Sequence, residues 1–203
     1  FMPEHPSGAV LVVHPEGKAA LAEGDKPGAL VTGLLQRNLM VLAIDTFKTG
    51  ELALLKRREV NHFYTFNRSD TALRVQDVLN AIAYLHTRAY TVHLIGLGQA
   101  GLWCLLARGL APGVNQTIVD ADQFDYNDDD AWVKQLFIPQ VRRAGDFRTV
   151  AVLIAPGKLV IHNASRSFPT GWFQDAYSVI RSPESLHIQP EKMEVESILL
   201  RCQ

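Results

Sequence analysis

The run Gly96-Leu97-Gly98-Gln99-Ala100-Gly101 has the residue types and spacing to do chemistry, and two different machines use such a run. Read as Gly-x-Gly-x-x-Gly, the residues Gly96, Gly98 and Gly101 match a dinucleotide-binding (Rossmann-like) fingerprint, in which amides at a helix N-terminus hold a pyrophosphate. Asp120 then stands at the end of the next strand, near the place of a ribose-binding acid. Read as small-x-apex-x-small, Gly96, Gly98 and Ala100 occupy a nucleophile elbow, which needs small neighbours because strand and helix approach closely around a strained residue. The apex of that elbow is glycine, which has no side chain to attack a carbonyl.

Seven histidines stand at His5, His14, His62, His86, His93, His162 and His187, and none has the HxH or HExxH spacing that gathers ligands on one metal. No metal site is expected from them. His14 follows the first strand, where ligands collect in open α/β sheets, and its alternative role is a hydrogen bond to the turn after it. The acidic run Asp125 to Asp130 lacks the alternating ligands and terminal Glu of a calcium loop, and reads as a solvated loop. Lys56-Arg57-Arg58, with Arg68 and Arg74 nearby, could grip an anion but reads first as an exposed loop. Phe63, Tyr64 and Phe66 beside those charges, and Trp172 with Phe173, are expected to be buried.

These groups must be held by an alternation of short β-rich runs and helical patterns, the signature of βαβ units around a mostly parallel sheet. Strands are expected at Ala9–His14, Met40–Asp45, Thr91–Ile95, Thr117–Val119, Leu159–His162 and Ser185–Gln189. Helices are expected at Pro27–Asn38, Thr71–Arg88 with Asp70 as cap, Leu102–Leu110, Ala131–Phe137, Trp172–Ile180 and Lys192–Leu200. Lys56 to Asp70 reads as a long surface loop, and Val150–Ile154 suits either a helix or a strand.

In that order of elements the chain resembles an α/β-hydrolase of the acetyl xylan esterase and dienelactone hydrolase type. The likeness is carried by Arg74-Val75-Gln76-Asp77-Val78, the Leu-rich helix around it, and the strand–elbow–helix Val92–Leu106. It spans roughly Ala9 to Leu200 and implies a three-layer α/β/α sandwich with a mostly parallel sheet, without the extra N-terminal strands of longer members. It also implies a cleft at the strand C-termini around His14, Glu16, Gly98, Gln99 and Asp120. Members that hydrolyse esters carry Ser or Cys where this chain has Gly98. The acid of such a site belongs after the sixth or seventh strand, where Asp120 and Asp122 qualify after one and only Asn163 and Ser165 stand after the other. The base belongs after the last strand, yet Gln189-Pro190-Glu191 has no histidine and His187 lies inside the strand. Losing the nucleophile alone leaves a triad only weak residual catalysis. The resemblance therefore implies a hydrolase scaffold without serine chemistry, taking a small-molecule or carbohydrate-ester ligand and no cofactor. A dinucleotide-binding protein is the alternative. Against it, the fingerprint normally opens the first βα unit, and here two such units precede it.

Composition narrows the field further. At 203 residues and 47% apolar content the chain suits one domain, residues 1–203, with a sizeable core. Twenty Lys and Arg against 21 Asp and Glu leave a net charge of −1, which argues against nucleic acid or an anionic membrane as partner. Cys104 and Cys202 form neither a disulfide framework nor a zinc motif. No apolar run approaches the roughly eighteen residues of a membrane span. The opening Phe1-Met2-Pro3 has no initiator Met in first place and no signal-peptide pattern, so the chain reads as part of a longer protein, with a partner domain possible N-terminal to it.

Overall fold

The computed structural model describes residues 1–54 and 62–202, and the basic run Lys56-Arg57-Arg58 lies outside them. In chain order the elements are β1 (Gly8–Val13), β2 (Ala22–Glu23), β3 (Lys26–Pro27), α1 (Ala29–Gln36), β4 (Leu39–Ala43), α2 (Phe63–Phe66), α3 (Asp70–His86) and β5 (Val92–Gly96). They continue with α4 (Ala100–Leu110), β6 (Gln116–Asp120), α5 (Asp129–Gln135), α6 (Asp146–Ile154), β7 (Lys158–His162), α7 (Thr170–Val179), β8 (Leu186–Ile188) and α8 (Val195–Arg201).

The main sheet has the order β4-β1-β5-β6-β7-β8, and every pairing in it is parallel. A parallel strand covered on both faces reads as a continuous apolar run, which is why Ala9–Val13 and Val92–Ile95 look as they do. Alternate residues serve opposite layers. Leu11, Val13, Leu94 and Ile161 pack under α3, α4 and α6, against Val78, Ile82, Trp103 and Phe147. Val10, Val12, Ile95, Ile118 and Val160 face α1 and α8, against Val31, Leu34, Ile198 and Leu199. The result is the three-layer α/β/α sandwich implied by the resemblance.

Counted along the chain the strand order is 2-1-3-4-5-6, which differs from the 3-2-1-4-5-6 of the dinucleotide fold. The chain leaves β1 toward β4 and leaves β5 toward β6, so the crevice that binds ligands in such sheets opens at the C-terminal ends of β1 and β5.

Several boundaries depart from the sequence reading for local reasons. Ser69, not Asp70, caps α3: its hydroxyl accepts from the Ala72 amide at 3.2 Å, and Asp70 begins the first turn, where its charge suits the helix dipole. Pro27 belongs to β3, paired with Ala22, and Gly28 precedes α1. Val150–Ile154 is the end of α6, whose buried Phe147, Val150, Ala151 and Ile154 recur at helical spacing. A helical turn, α2, lies within the stretch read as loop. Phe173 is buried as expected, whereas Trp172 is 52% exposed and Phe66 87% exposed, because each sits on the outward side of its helix.

Candidate functional site

The turn after β5 keeps the shape of an elbow. Leu97 donates to the Val13 carbonyl at 3.0 Å, the Gly101 amide donates to the Gly98 carbonyl at 2.9 Å, and α4 starts at Ala100. Gly98 has φ +49°, the left-handed conformation that carries strain for any residue with a side chain. A Cβ at Gly96 would lie 2.6 Å from the Gly101 Cα and 2.9 Å from the Cys104 Sγ. At Gly101 it would overlap the Asp120 carbonyl. Glycine is therefore required at Gly96 and Gly101 because helix and strands touch there. At the apex the space is open: a Cβ on Gly98 would meet nothing nearer than the Pro15 Cγ at 3.4 Å. No neighbouring atom requires glycine at that position, and only its left-handed φ favours it.

A cleft of about 410 Å³ opens on the α1/α8 side of the sheet edge. His14, Gly98, Asp120, His162 and Lys192, with Glu23 and Glu194, bring the polar groups to it, and Leu21, Leu30, Leu97, Met193, Val195 and Ile198 supply an aliphatic wall. Of the residues singled out in the sequence, His14, Gly98 and Asp120 meet here. Glu16 and Gln99 do not line the cleft, and the Gln99 side-chain amide donates instead to the Gln135 carbonyl at 2.8 Å. His187 lies on the edge strand β8, two strands beyond β6, with its Nε2 3.1 Å from the Gln189 Oε1, and lines a separate depression. The structure does not bring His187 to Gly98 and Asp120.

His14 makes the turn hydrogen bond considered for it and also lines the cleft. Its Nδ1 accepts the Glu16 amide at 3.1 Å, fixing the turn, while the ring lines the cleft. Accepting on Nδ1 leaves the hydrogen of the neutral ring on Nε2. Burial holds its pKa below the usual histidine range, with Glu16 opposing and Lys192 adding to the shift.

His162 and Lys192 are the residues that the sequence reading did not single out. His162 is the last residue of β7 and the registered partner of Asp120, so parallel pairing sets the two side chains on one face. The rule that ligands gather at strand C-termini could have found it. Nothing local marks Lys192. The expected terminal helix from Lys192 begins only at Val195, and the extended segment before it returns across the strand ends. There the Met193 amide donates to the His162 Nδ1 at 3.3 Å, and the Lys192 ammonium lies 3.6 Å from the Asp120 Oδ2. Asp120 Oδ1 accepts from the Asp122 amide and from the Asn163 Nδ2, both at 2.7 Å. Burial lowers the His162 pKa, which Asp120 opposes and Lys192 reinforces. Asp122 is pushed up by burial and by the neighbouring Asp120.

The loop after β4 is clamped to this edge. Asp45 accepts from the Lys18 amide at 2.7 Å and the Glu51 amide at 3.2 Å, and pairs with the Lys18 ammonium at 2.7 Å. The Arg74-to-Val78 run proves to be a clasp: Arg74 Nε donates to the Phe47 carbonyl at 3.0 Å, and Asp77 accepts the Phe47 amide at 2.8 Å. Arg74 also lies over the Trp103 ring at 4.5 Å. Among the described residues no three His, Cys, Asp or Glu side chains gather as a metal site, and no helix is long and apolar enough to cross a membrane.

No family model matches the sequence, and no curated protein matches it. Solved structures do. A Bacteroides fragilis protein described as a candidate acetyl xylan esterase superimposes with a TM-score of 0.67 over 93% of this chain at 14% identity, and the chain spans 60% of its length. A glucuronoyl esterase from Solibacter usitatus gives 0.64 at 13% identity, covering 97% of this chain and 73% of that one. A carbohydrate esterase family 15 glucuronoyl esterase from Caldicellulosiruptor kristjansonii gives 0.62 at 12% identity, covering 100% of this chain and 70% of that one. Together with the parallel sheet and the elbow after β5, these likenesses show that the chain has the α/β-hydrolase fold.

Proposed function

We propose that this chain is an esterase-like scaffold that binds a small molecule in the cleft at the ends of β1, β5, β6 and β7 and does not act as a serine esterase. The observation that carries the reading is Gly98: the backbone keeps the elbow conformation, room stands above it for a side chain, and no reacting atom is there. The imidazoles support it. A general base needs a free ring nitrogen within reach of the proton it takes. His14 and His162, which both line the cleft, spend Nδ1 on a backbone amide, and this leaves Nε2–H as a donor in each. Such groups bind and orient an acceptor. His187 is too far along the sheet to serve the elbow.

The test is stoichiometric labelling by a serine-directed fluorophosphonate, together with aryl acetate hydrolysis, on the wild type and on Gly98→Ser. The wild type should neither label nor hydrolyse above buffer. Gly98→Ser should fold, since its Cβ meets no neighbour closer than ordinary contact, with a left-handed strain of about 1–3 kcal/mol. It should stay unreactive because no base is aligned with the new hydroxyl. Stoichiometric labelling of the wild type would sink the reading.

A further inference from the structure

Two residues that line the cleft and pair in register each carry a buried atom without a hydrogen-bond partner among the described residues: Asp120 Oδ2, an acceptor, and His162 Nε2, a donor. Asp120 is 0% exposed and His162 1% exposed, and both line the cleft. Buried polar groups are almost always hydrogen-bonded, so a pair of opposite character on two residues lining a cavity calls for a group that completes both. The character of each is settled. The Met193 amide occupies His162 Nδ1, so Nε2 carries the hydrogen and donates. Asp120 Oδ1 already has two donors, and the Lys192 ammonium stands off Oδ2 at 3.6 Å, from a side chain that is 67% exposed at the rim.

Three head groups can be compared against that pair. A carboxylate accepts from His162 and from His14 but has nothing to give Asp120, and it enters a cleft whose Glu23, Asp120 and Glu194 outnumber Lys192. An ammonium donates to Asp120 but opposes the imidazole N–H. A hydroxyl donates and accepts through one oxygen, and satisfies both. The apolar part of the lining is aliphatic, Leu21, Leu30, Leu97, Met193, Val195 and Ile198, and no Phe, Tyr or Trp is among the lining residues. We infer that the cleft takes an uncharged aliphatic alcohol, its hydroxyl bridging Asp120 Oδ2 and His162 Nε2–H and its chain lying along the α1/α8 wall. This rests on the reading of the cleft as the ligand site and narrows the ligand class.

The experiment uses the whole chain and three probes of equal length, 1-octanol, octanoate and octylammonium, titrated by calorimetry and by thermal shift. 1-Octanol should bind saturably, about tenfold more tightly than either charged probe. His162→Leu should weaken octanol about tenfold, the effect of one lost hydrogen bond to a polar group, and His162→Gln, which keeps an N–H, should lose less. Ala20→Trp, at an exposed position on the rim, should block binding without touching the buried pair. If His162→Leu does not fold, the head-group series and Ala20→Trp still decide. Octanoate or octylammonium binding as tightly as octanol, and lost in Ala20→Trp, would overturn the alcohol assignment while leaving the cleft as a ligand site. Octanol binding that Ala20→Trp leaves intact, or no octanol binding, would overturn the assignment outright, and the fluorophosphonate experiment would judge the elbow reading separately.

Discussion

Adding one methyl group to the chain at Gly101 and at Gly171 should change stability in opposite directions. Both glycines lie near the start of helices, α4 and α7, where alanine is ordinarily favoured by about 0.5–1 kcal/mol. Gly171 is exposed and a Cβ there meets nothing within 4 Å, so Gly171→Ala should gain about 0.5 kcal/mol. Gly101 packs on the end of β6. A Cβ there overlaps the Asp120 carbonyl oxygen and comes within 2.7 Å of the Asp120 nitrogen and 2.9 Å of its carbonyl carbon. All three are backbone atoms of a strand held between β5 and β7, so no side-chain rotation relieves the clash. Overpacking of this kind costs about 1–3 kcal/mol, and backbone against backbone belongs at the upper end. After the helical gain, Gly101→Ala should lose about 2 kcal/mol. For a chain of this size that is a fall in Tm of roughly 4–8 °C, against a rise of about 1–2 °C for Gly171→Ala. Thermal melts followed by circular dichroism, confirmed by urea unfolding, read both. Gly101→Ala melting within about a degree of the wild type would show that α4 does not press on β6 as described, and the steric account of the elbow would fail with it.

Asp45→Ala should cost about 2 kcal/mol in urea unfolding, because two amides and an ammonium lose a charged acceptor. Partial burial pushes the Asp45 carboxyl up, but the Lys18 ammonium and the Lys18 and Glu51 amides outweigh it and hold the pKa below the usual range. Its stabilisation is therefore complete above the ordinary carboxylate value of about 3.9 and is lost as the pH falls through the lowered folded value. Asp45→Ala should lack that part of the acid-side loss, and a variant curve parallel to the wild type down to acid pH would contradict the assignment. Arg74→Lys keeps the charge but loses the Nε bond to Phe47 and the planar contact with Trp103, and should destabilise by about 1 kcal/mol in the same assay. Burial drives the Cys104 thiol far above its ordinary pKa, so it should resist a disulfide-exchange reagent at mild alkaline pH until the protein unfolds. Rapid labelling of the native protein would count against it.

Much about this protein is written locally. The apolar runs of β1 and β5, the helical spacing of α3 and the small residues after β5 each report their own element, because strand burial and helix amphipathicity leave a short-range pattern. From those patterns follow the parallel sheet and a turn with no nucleophile at its apex, and the resemblance they carry implies the three layers. Other features arise only when distant segments meet. Ser69 rather than Asp70 caps α3 because the hydroxyl reaches the Ala72 amide, a matter of tenths of an ångström that composition does not encode. Arg74 and Asp77 look like ordinary helix-surface charges until the Phe47 backbone is laid between them, 27 and 30 residues away. The polar floor of the cleft is the clearest case. Asp120 and His162 become neighbours through parallel register across 42 positions, the identity of the donating nitrogen is set by the Met193 amide, and Lys192 arrives on a returning segment read as helix. Each element's pattern constrains only its own few residues, whereas the site depends on register and on hydrogen bonds between elements, which exist only once the sheet has closed around them.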